Sequence, residues 1–447
     1  LKLVLNTNKL TNKIRRIVLT QEQQPSVLIF APYFPPRKRV GAIRPYRFAK
    51  HLNKMGWRVI VMCIHSKGTL DERTRAELEG VEILSLKPPL DRTESSTSKS
   101  SSKKASSAAE SKLTQWFDQQ FPLDTWWPFF RAKRNEIEEH IHAINPDIIW
   151  STSDPWSGGY VIGQIAVSMN KPWVADFRDP WTLCDVRFPK KGKLAQWFEK
   201  KAERWMMKHA DYVTFTAHKT ATKYKKQYPK LDASVIYNSF DLDHFDQQKT
   251  HSPEVSNKLR VLFLGAFRDL SNAELILNVL EKAMSINEEV AKCIEIHSYA
   301  ALTGADKEKA ENLGVTHQFI VKDKVPVTQV PQEINQADVL LLSTQPDRTD
   351  IIPAKLWDYL PTEKPIISLV QNSEVKKILL ETDRGEQFDI QNLEAAAQQL
   401  IRYAEGRLKG NDVPSRPGKT EVISTYDAKQ RAAELSTVLK KVIDHVG

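Results

Sequence analysis

Short runs of β-branched and aromatic residues alternate with amphipathic helical stretches along almost the whole chain, and this alternation restricts the fold more than any other feature. VLIF at 27–30 is followed by helical spacing near 42–55 and then by RVIVMCI at 58–64. Runs this uniformly apolar are buried on both faces, as strands of a parallel sheet are. DIIWST, PWVADF, YVTFTA and SVIYN continue the series, with helical stretches after Ser157 and near 194–208. One doubly wound α/β domain over 25–245 is the expectation. A second series opens at RVLFLGA (260–266) and runs through CIEIHSY, QFIVKD, VLLLST and PIISLV, which predicts a second α/β domain over 246–424. The polar stretch SFDLDHFDQQKTHSPEVSNK between them has the composition of a linker and places the boundary near 245–258. Ala432, Leu435, Val438, Leu439 and Val442 recur at helical spacing and predict a long terminal helix over 425–447. Residues 1–24 read as a basic extension, and the Ser/Lys-rich segment 91–112 as a disordered insertion with almost nothing to bury.

A length of 447 residues suits two large domains. No stretch approaches the roughly 18 to 20 consecutive apolar residues of a membrane span, and the first residues lack the pattern of a secretion signal. Cys63, Cys184 and Cys293 stand apart without metal-ligand spacing, so a reducing compartment and no metal site are expected. The net charge of +10 is concentrated: 187–230 holds thirteen Lys or Arg against three acidic residues. Such a block suits phosphate-rich lipid head groups, nucleic acid or an anionic polymer, and equally a solvated helix face.

In open parallel sheets ligands bind beyond the carboxyl ends of the strands, so four strand-following loops carry the search. In APYFPPRKRVGAIRPYRFAKHL, Gly41 before a helix lets backbone N–H groups approach an anion, or simply makes a turn. Arg44 adds a charge for a phosphate or acidic acceptor there, or is a surface residue. STSDPWSGGY puts Ser157 and two glycines after a strand. ADFRDPWT gathers Asp176, Arg178 and Asp179 at another strand end, where they are either functional or an internal salt bridge. In TDIIPAKLWDYLPTEKP, Pro353 suits a first helical turn. Asp350 would then lie near the helix N-terminus, with Asp358 on nearly the same face and Lys355 between. Carboxylates can accept ribose or sugar hydroxyls while Lys holds a diphosphate; an N-cap and a surface acid fit the spacing as well.

At these residues the chain resembles family 4 of the retaining, GT-B-fold glycosyltransferases, and within it the bacterial polysaccharide and lipopolysaccharide branch. The supports, in order, are VLIFAPYFPPRKRVGAIRPYRFAKHLNKMGW, FPLDTWWPFFRAKRNEIEEHIHAINPDIIWSTSDPWSGG, KPWVADFRDPWT, VIYNSFD and IIPAKLWDYL. The resemblance implies two Rossmann-like domains facing across a cleft, with the terminal helix returning to the first. It implies a donor nucleotide held mainly by the second domain, through Gly265, Arg268, Lys355 and Asp358 with Gly41 opposite. Its acidic pair, two residues with seven between them, matches Asp350 for the sugar and Asp358 for the ribose, both Asp where the family has Glu. Arg268 and Lys355 would hold the diphosphate, and PTEKP replaces the family's small-residue turn. On the acceptor side the matches are Arg44, Ser157, Arg178, Trp181 and Asp179, with Trp126 and Trp127 in an acceptor-facing loop or in packing.

The activity so implied is retaining transfer from a nucleotide-sugar, a UDP-sugar first and a GDP-sugar second, to a glycan or polyprenyl-linked acceptor. No further cofactor and no metal is called for. Asp179, Arg268, Lys355 and Asp350 would be catalytic. A cytoplasmic protein peripheral on the inner face of the plasma membrane is the expected setting, an anionic membrane surface rather than nucleic acid being the partner of the basic block. Two other functions remain: a nucleotide-sugar 2-epimerase of the same fold, and an inactive binding partner motivated by the Glu-to-Asp departures.

Overall fold

The computed structural model describes residues 24–37, 39–88, 121–245, 256–267, 271–323, 325 and 329–446. The expected basic extension, the Ser/Lys-rich insertion, most of the linker and Arg268 lie outside the described residues.

The two series of apolar runs form two all-parallel sheets. The first contains β1 (Ser26–Phe30), β2 (Arg58–Ile64), β3 (Glu82–Leu86), β4 (Ile148–Ser153), β5 (Trp173–Phe177), β6 (Tyr212–Phe215) and β7 (Ala233–Val235), in the order β3-β2-β1-β4-β5-β6-β7. The second contains β8 (Leu259–Leu262), β9 (Ile294–Ser298), β10 (Phe319–Val321), β11 (Val339–Leu342), β12 (Ile366–Ser368) and β13 (Gly385–Gln387), in the order β10-β9-β8-β11-β12-β13. In each sheet the winding direction reverses once, between β1 and β4 and between β8 and β11. Those switch points open the crevices where ligands of such sheets bind.

The helices that position the crevices are α1 (Val40–Lys54), α2 (Trp127–Ala132), α3 (Trp156–Ser168), α4 (Lys193–His209), α5 (His218–Gln227), α6 (Glu274–Ile286), α7 (Lys355–Tyr359), α8 (Ser373–Thr382) and α9 (Ala428–Val446). Strand residues such as Val27, Ile29, Leu28 and Phe30 are fully buried because both sheet faces are covered. One core joins Leu28, Ile60, Ile149 and Phe177 to α2, α3 and α4; another joins Val27, Ile29, Val59 and Trp150 to α1 and α9.

Helix α9 belongs to the chain after the second sheet yet packs on the first. Ala432, Leu435, Leu439 and Val442 enter the core beside Trp57, whose indole N–H donates to Ser436 at 2.8 Å. The two chain crossings run side by side: Ala428 N donates to Phe240 O at 2.7 Å, and Leu242 N to Asp427 Oδ1 at 3.1 Å. Beside them the wholly buried Lys50 donates to Asp241 at 2.6 Å and Glu77 at 3.1 Å. Burial works to raise the Asp241 carboxyl, but hydrogen bonds from His51 and Lys50 outweigh it and hold the group far below the usual range.

Candidate functional site

The loop after β8 and the helix after β11 meet at the second switch point. Leu340 is paired with Leu262, and three residues further along their strands lie Ser343 and Gly265. Gly265 has φ +148, a conformation that disfavours any side chain. A Cβ there would stand 3.0 Å from Lys355 Cε and 3.5 Å from its ammonium, so the glycine also makes room for the lysine. The Lys355 ammonium sits 4.3 Å from the centroid of the Phe263 ring, at the first residue of α7.

Tyr359 at the other end of α7 fixes this corner from beneath. Its hydroxyl accepts from Leu264 N at 2.9 Å and lies 3.3 Å from the carbonyl oxygens of both Leu262 and Leu341. One buried phenol thus ties the end of β8 to that of β11. Ser343 and Thr344, 2% and 4% exposed, have side-chain oxygens without a hydrogen-bond partner among the described residues. Unsatisfied buried hydroxyls are costly, and at a ligand crevice they are donors and acceptors in waiting. Sequence reasoning missed these three residues, although the polar Ser-Thr pair closing VLLLST and the Tyr of WDYL were the available signals.

The two acids of the motif separate. Helix α7 begins only at Lys355, after Pro353, so Asp350 is not on it and the expected shared helical face does not exist. Asp350 is 6% exposed and points to the first unit: its carboxylate is 3.1 Å from Lys223 of α5, and its carbonyl accepts from Thr220 Oγ1 at 2.7 Å. In the structure Asp350, expected to contact the sugar, makes an inter-unit ion pair. Asp358 stays with Lys355; burial raises its carboxyl pKa, opposed by the positive charges of Arg47 on α1 and of Lys355.

On the first unit three residues expected on the acceptor side are buried and held by internal contacts. Arg44 is 6% exposed and grips Asp176 with two hydrogen bonds of 3.0 and 2.8 Å, while Thr152 and Thr214 hydroxyls donate to the same carboxylate at 2.9 and 2.7 Å. A buried pair so completely satisfied orders the first switch point and leaves Arg44 nothing for a phosphate. Ser157 is wholly buried and bonds to Asp124, its hydroxyl donating at 2.5 Å. Trp181, 1% exposed, stacks on Trp156 at 4.9 Å. These three placements share one cause: strand-end loops need internal scaffolding before they can present anything.

Arg178 is half-buried and Asp179 exposed on the loop after β5. The Arg178 Nε donates to Ser153 O at 2.8 Å, and its Nη1 lies 2.6 Å from where a Gly41 Cβ would be. Gly41 thus lets a guanidinium lie against the first turn of α1. The loop after β5 is held from behind by two buried glutamates one turn apart on α4. Glu199 accepts from the Trp181 indole at 3.0 Å, and Glu203 accepts from Thr182 N at 2.8 Å and from Tyr224 at 2.6 Å. Burial raises both carboxyls above their ordinary value, against the hydrogen bonds that favour the ionised form. Trp126 and Trp127 are half-buried against Phe129, Tyr160 and Phe198, and Trp127 also lines an open cavity with Pro128 and Arg131.

The units clasp each other along α5. Glu374 of α8 accepts from His218 N and Lys219 N, both at 2.8 Å, capping α5 from the other domain, and Tyr237 donates to it at 3.1 Å. A carboxylate at a helix N-terminus is favourable for both charge and hydrogen bonding.

Comparison with known proteins agrees with this geometry. The model of Glycosyltransferase Family 4 matches residues 42–244. A search of curated proteins gives no match. Among solved structures, a glycosyltransferase from Rickettsia africae superposes with TM-score 0.61 at 16% identity, covering 94% of this chain and 99% of that one. Sucrose-phosphate synthase from Thermosynechococcus elongatus gives 0.64 at 11%, covering 94% and 100%. Anabaena HepE in complex with UDP-glucose gives 0.59 at 12%, covering 93% and 99%. At such identities the likeness speaks for the fold. Residues 42–244 are thus similar to Glycosyltransferase Family 4, and the paired parallel sheets with their returning helix give the chain the GT-B architecture.

Proposed function

We propose that the protein is a retaining glycosyltransferase that moves a sugar from a nucleotide-sugar, a UDP-sugar before a GDP-sugar, to a glycan or lipid-linked acceptor in the synthesis of a bacterial surface polysaccharide. The cytoplasm, where nucleotide-sugars are made, is its proposed setting. The observation that carries the reading is the corner at the second switch point: a lysine ammonium against Gly265, with the Ser343 and Thr344 hydroxyls, unpartnered among the described residues, at the neighbouring strand end. A diphosphate offers negative charge to the lysine and acceptor oxygens to the two hydroxyls. The UDP-glucose complex of the similarly folded Anabaena protein supports a nucleotide-sugar in such a cleft.

As the sugar–phosphate bond breaks, negative charge grows on the leaving diphosphate and positive charge on the sugar ring. Lys355 stabilises the former, already fixed in place before reaction, which is the kind of electrostatic term that counts most in catalysis. Asp358 accepts ribose hydroxyls. Arg178 and Asp179 face the acceptor, whose hydroxyl attacks from the side the diphosphate leaves. Contact between the units keeps water from competing with it.

Product analysis tests the reading. Incubation with a UDP-sugar and a membrane glycolipid extract is expected to yield a glycosylated lipid only when acceptor is present, with transfer at least 100-fold lower in Lys355→Ala. Isomerised nucleotide-sugar formed without acceptor would show an epimerase instead.

A further inference from the structure

Helix α4 has two working faces, and one of them has no counterpart among the described residues. Its inner face carries Glu199 and Glu203, which hold the loop after β5. Its outer face gathers Lys193, Lys200, Lys201, Arg204 and Lys208, all exposed. At 100° per residue these five cations fall within roughly 120° of arc, and no acidic residue interrupts them. Leu194 and Trp197 lie in the same arc, 75% and 53% exposed. The Lys201 ammonium rests 3.8 Å from the centroid of the Trp197 ring, so charge and indole are presented together. Trp205 is different: it stacks on His209 at 4.4 Å and packs against Tyr160 and Trp173, inside the fold.

A solvated face explains the lysines but not the leucine and tryptophan. Nucleic acid would use the cations, and an indole can stack on a base, but Leu194 offers nothing to either base or phosphate. A bilayer interface uses all of them: lysine and arginine pair with anionic head groups while tryptophan and leucine enter the boundary of the acyl region. Just before the helix, Lys191 donates to Phe121 O at 3.3 Å and to Leu123 O at 3.4 Å, fixing the half-exposed Phe121 beside the approach to α4.

We propose that the outer face of α4, led by Leu194 and Trp197, is a docking surface for an anionic lipid bilayer. Docked there, the helix holds the loop bearing Arg178 and Asp179 directly behind the membrane contact, so the acceptor is one anchored in that bilayer. The docking itself does not depend on the transferase reading; only its purpose does.

Flotation of the full chain tests it without any sugar substrate. The probes are vesicles of phosphatidylcholine alone and of phosphatidylcholine with about 30% phosphatidylglycerol, a composition negative enough to attract basic segments. The wild type is expected to float with the anionic vesicles and not with the neutral ones, and to be released by high salt. Lys193→Glu, Lys200→Glu and Arg204→Glu combined should weaken binding at least 100-fold, since each basic residue near the surface is worth about fivefold. Leu194→Ser with Trp197→Ser should weaken it severalfold while leaving the salt dependence in place. All substitutions are at exposed positions, and an unchanged melting temperature verifies folding. Flotation of the charge-reversed protein as well as the wild type overturns the proposal, as does a wild type that binds short duplex RNA but no vesicles. Loss of transfer activity with flotation intact would count against the transferase reading alone.

Discussion

At the scale of single residues, Gly265 and Lys355 form one device. The glycine adopts a backbone conformation closed to other residues and leaves the space that the lysine side chain fills. Gly265→Ala should therefore act twice, straining the turn by about 1 kcal/mol or more and displacing Lys355. The expected outcome is a modest fall in melting temperature with a disproportionate loss of nucleotide affinity, about tenfold or more by calorimetry. That Lys355 belongs to the corner was legible in IIPAKLWDYL. The direction of Asp350 was not, because spacing is blind to a partner 127 positions away in sequence, Lys223. The partner of Arg44 was hidden for the same reason: only the folded chain brings Asp176 to it.

At the scale of elements, the strand and helix alternation gave both sheets and the terminal helix, since burial on two faces writes itself as uninterrupted apolar runs. Helix α7 escaped this logic. It is five residues long, too short for periodicity, and its first turn opens with Leu356 N donating to Pro353 O at 3.1 Å. Helix α4 was legible as a helix, but its buried acids read as ordinary polar positions. Their protonation has a consequence for stability. Burial raises Glu203 above its ordinary value of 4.5, so the folded state binds its proton more tightly than the unfolded chain does. That contribution is full below the unfolded value and is lost as pH rises through the folded one. In Glu203→Gln it disappears. Melting temperature should thus depend less on pH in the variant than in the wild type from about pH 4.5 upward, as scanning calorimetry at successive pH values would show.

At the scale of the whole molecule, two sheets with separate cores are joined by paired crossings and by the clasp of Glu374 on α5. The clasp spans the units behind the crevice, so its strength bears on how far the crevice can open. Glu374→Ala leaves two helix N–H groups without their acceptor, a loss on the order of 1–3 kcal/mol. The expected result is unchanged secondary structure by circular dichroism with a larger radius of gyration in solution scattering. Two facing domains could be read from the sequence; the residues that fasten them could not, because each pair lies far apart along the chain.

The central claim is that the corner formed by Gly265, Lys355, Ser343 and Thr344 holds the diphosphate of a nucleotide-sugar. Isothermal titration of the wild type and of Lys355→Ala with UDP, GDP and their sugar conjugates tests it most directly. The account predicts saturable binding of one nucleotide family at one site per chain, weakened at least tenfold by the substitution. No binding of any nucleoside diphosphate to the folded wild type, or equal binding to both proteins, would contradict it.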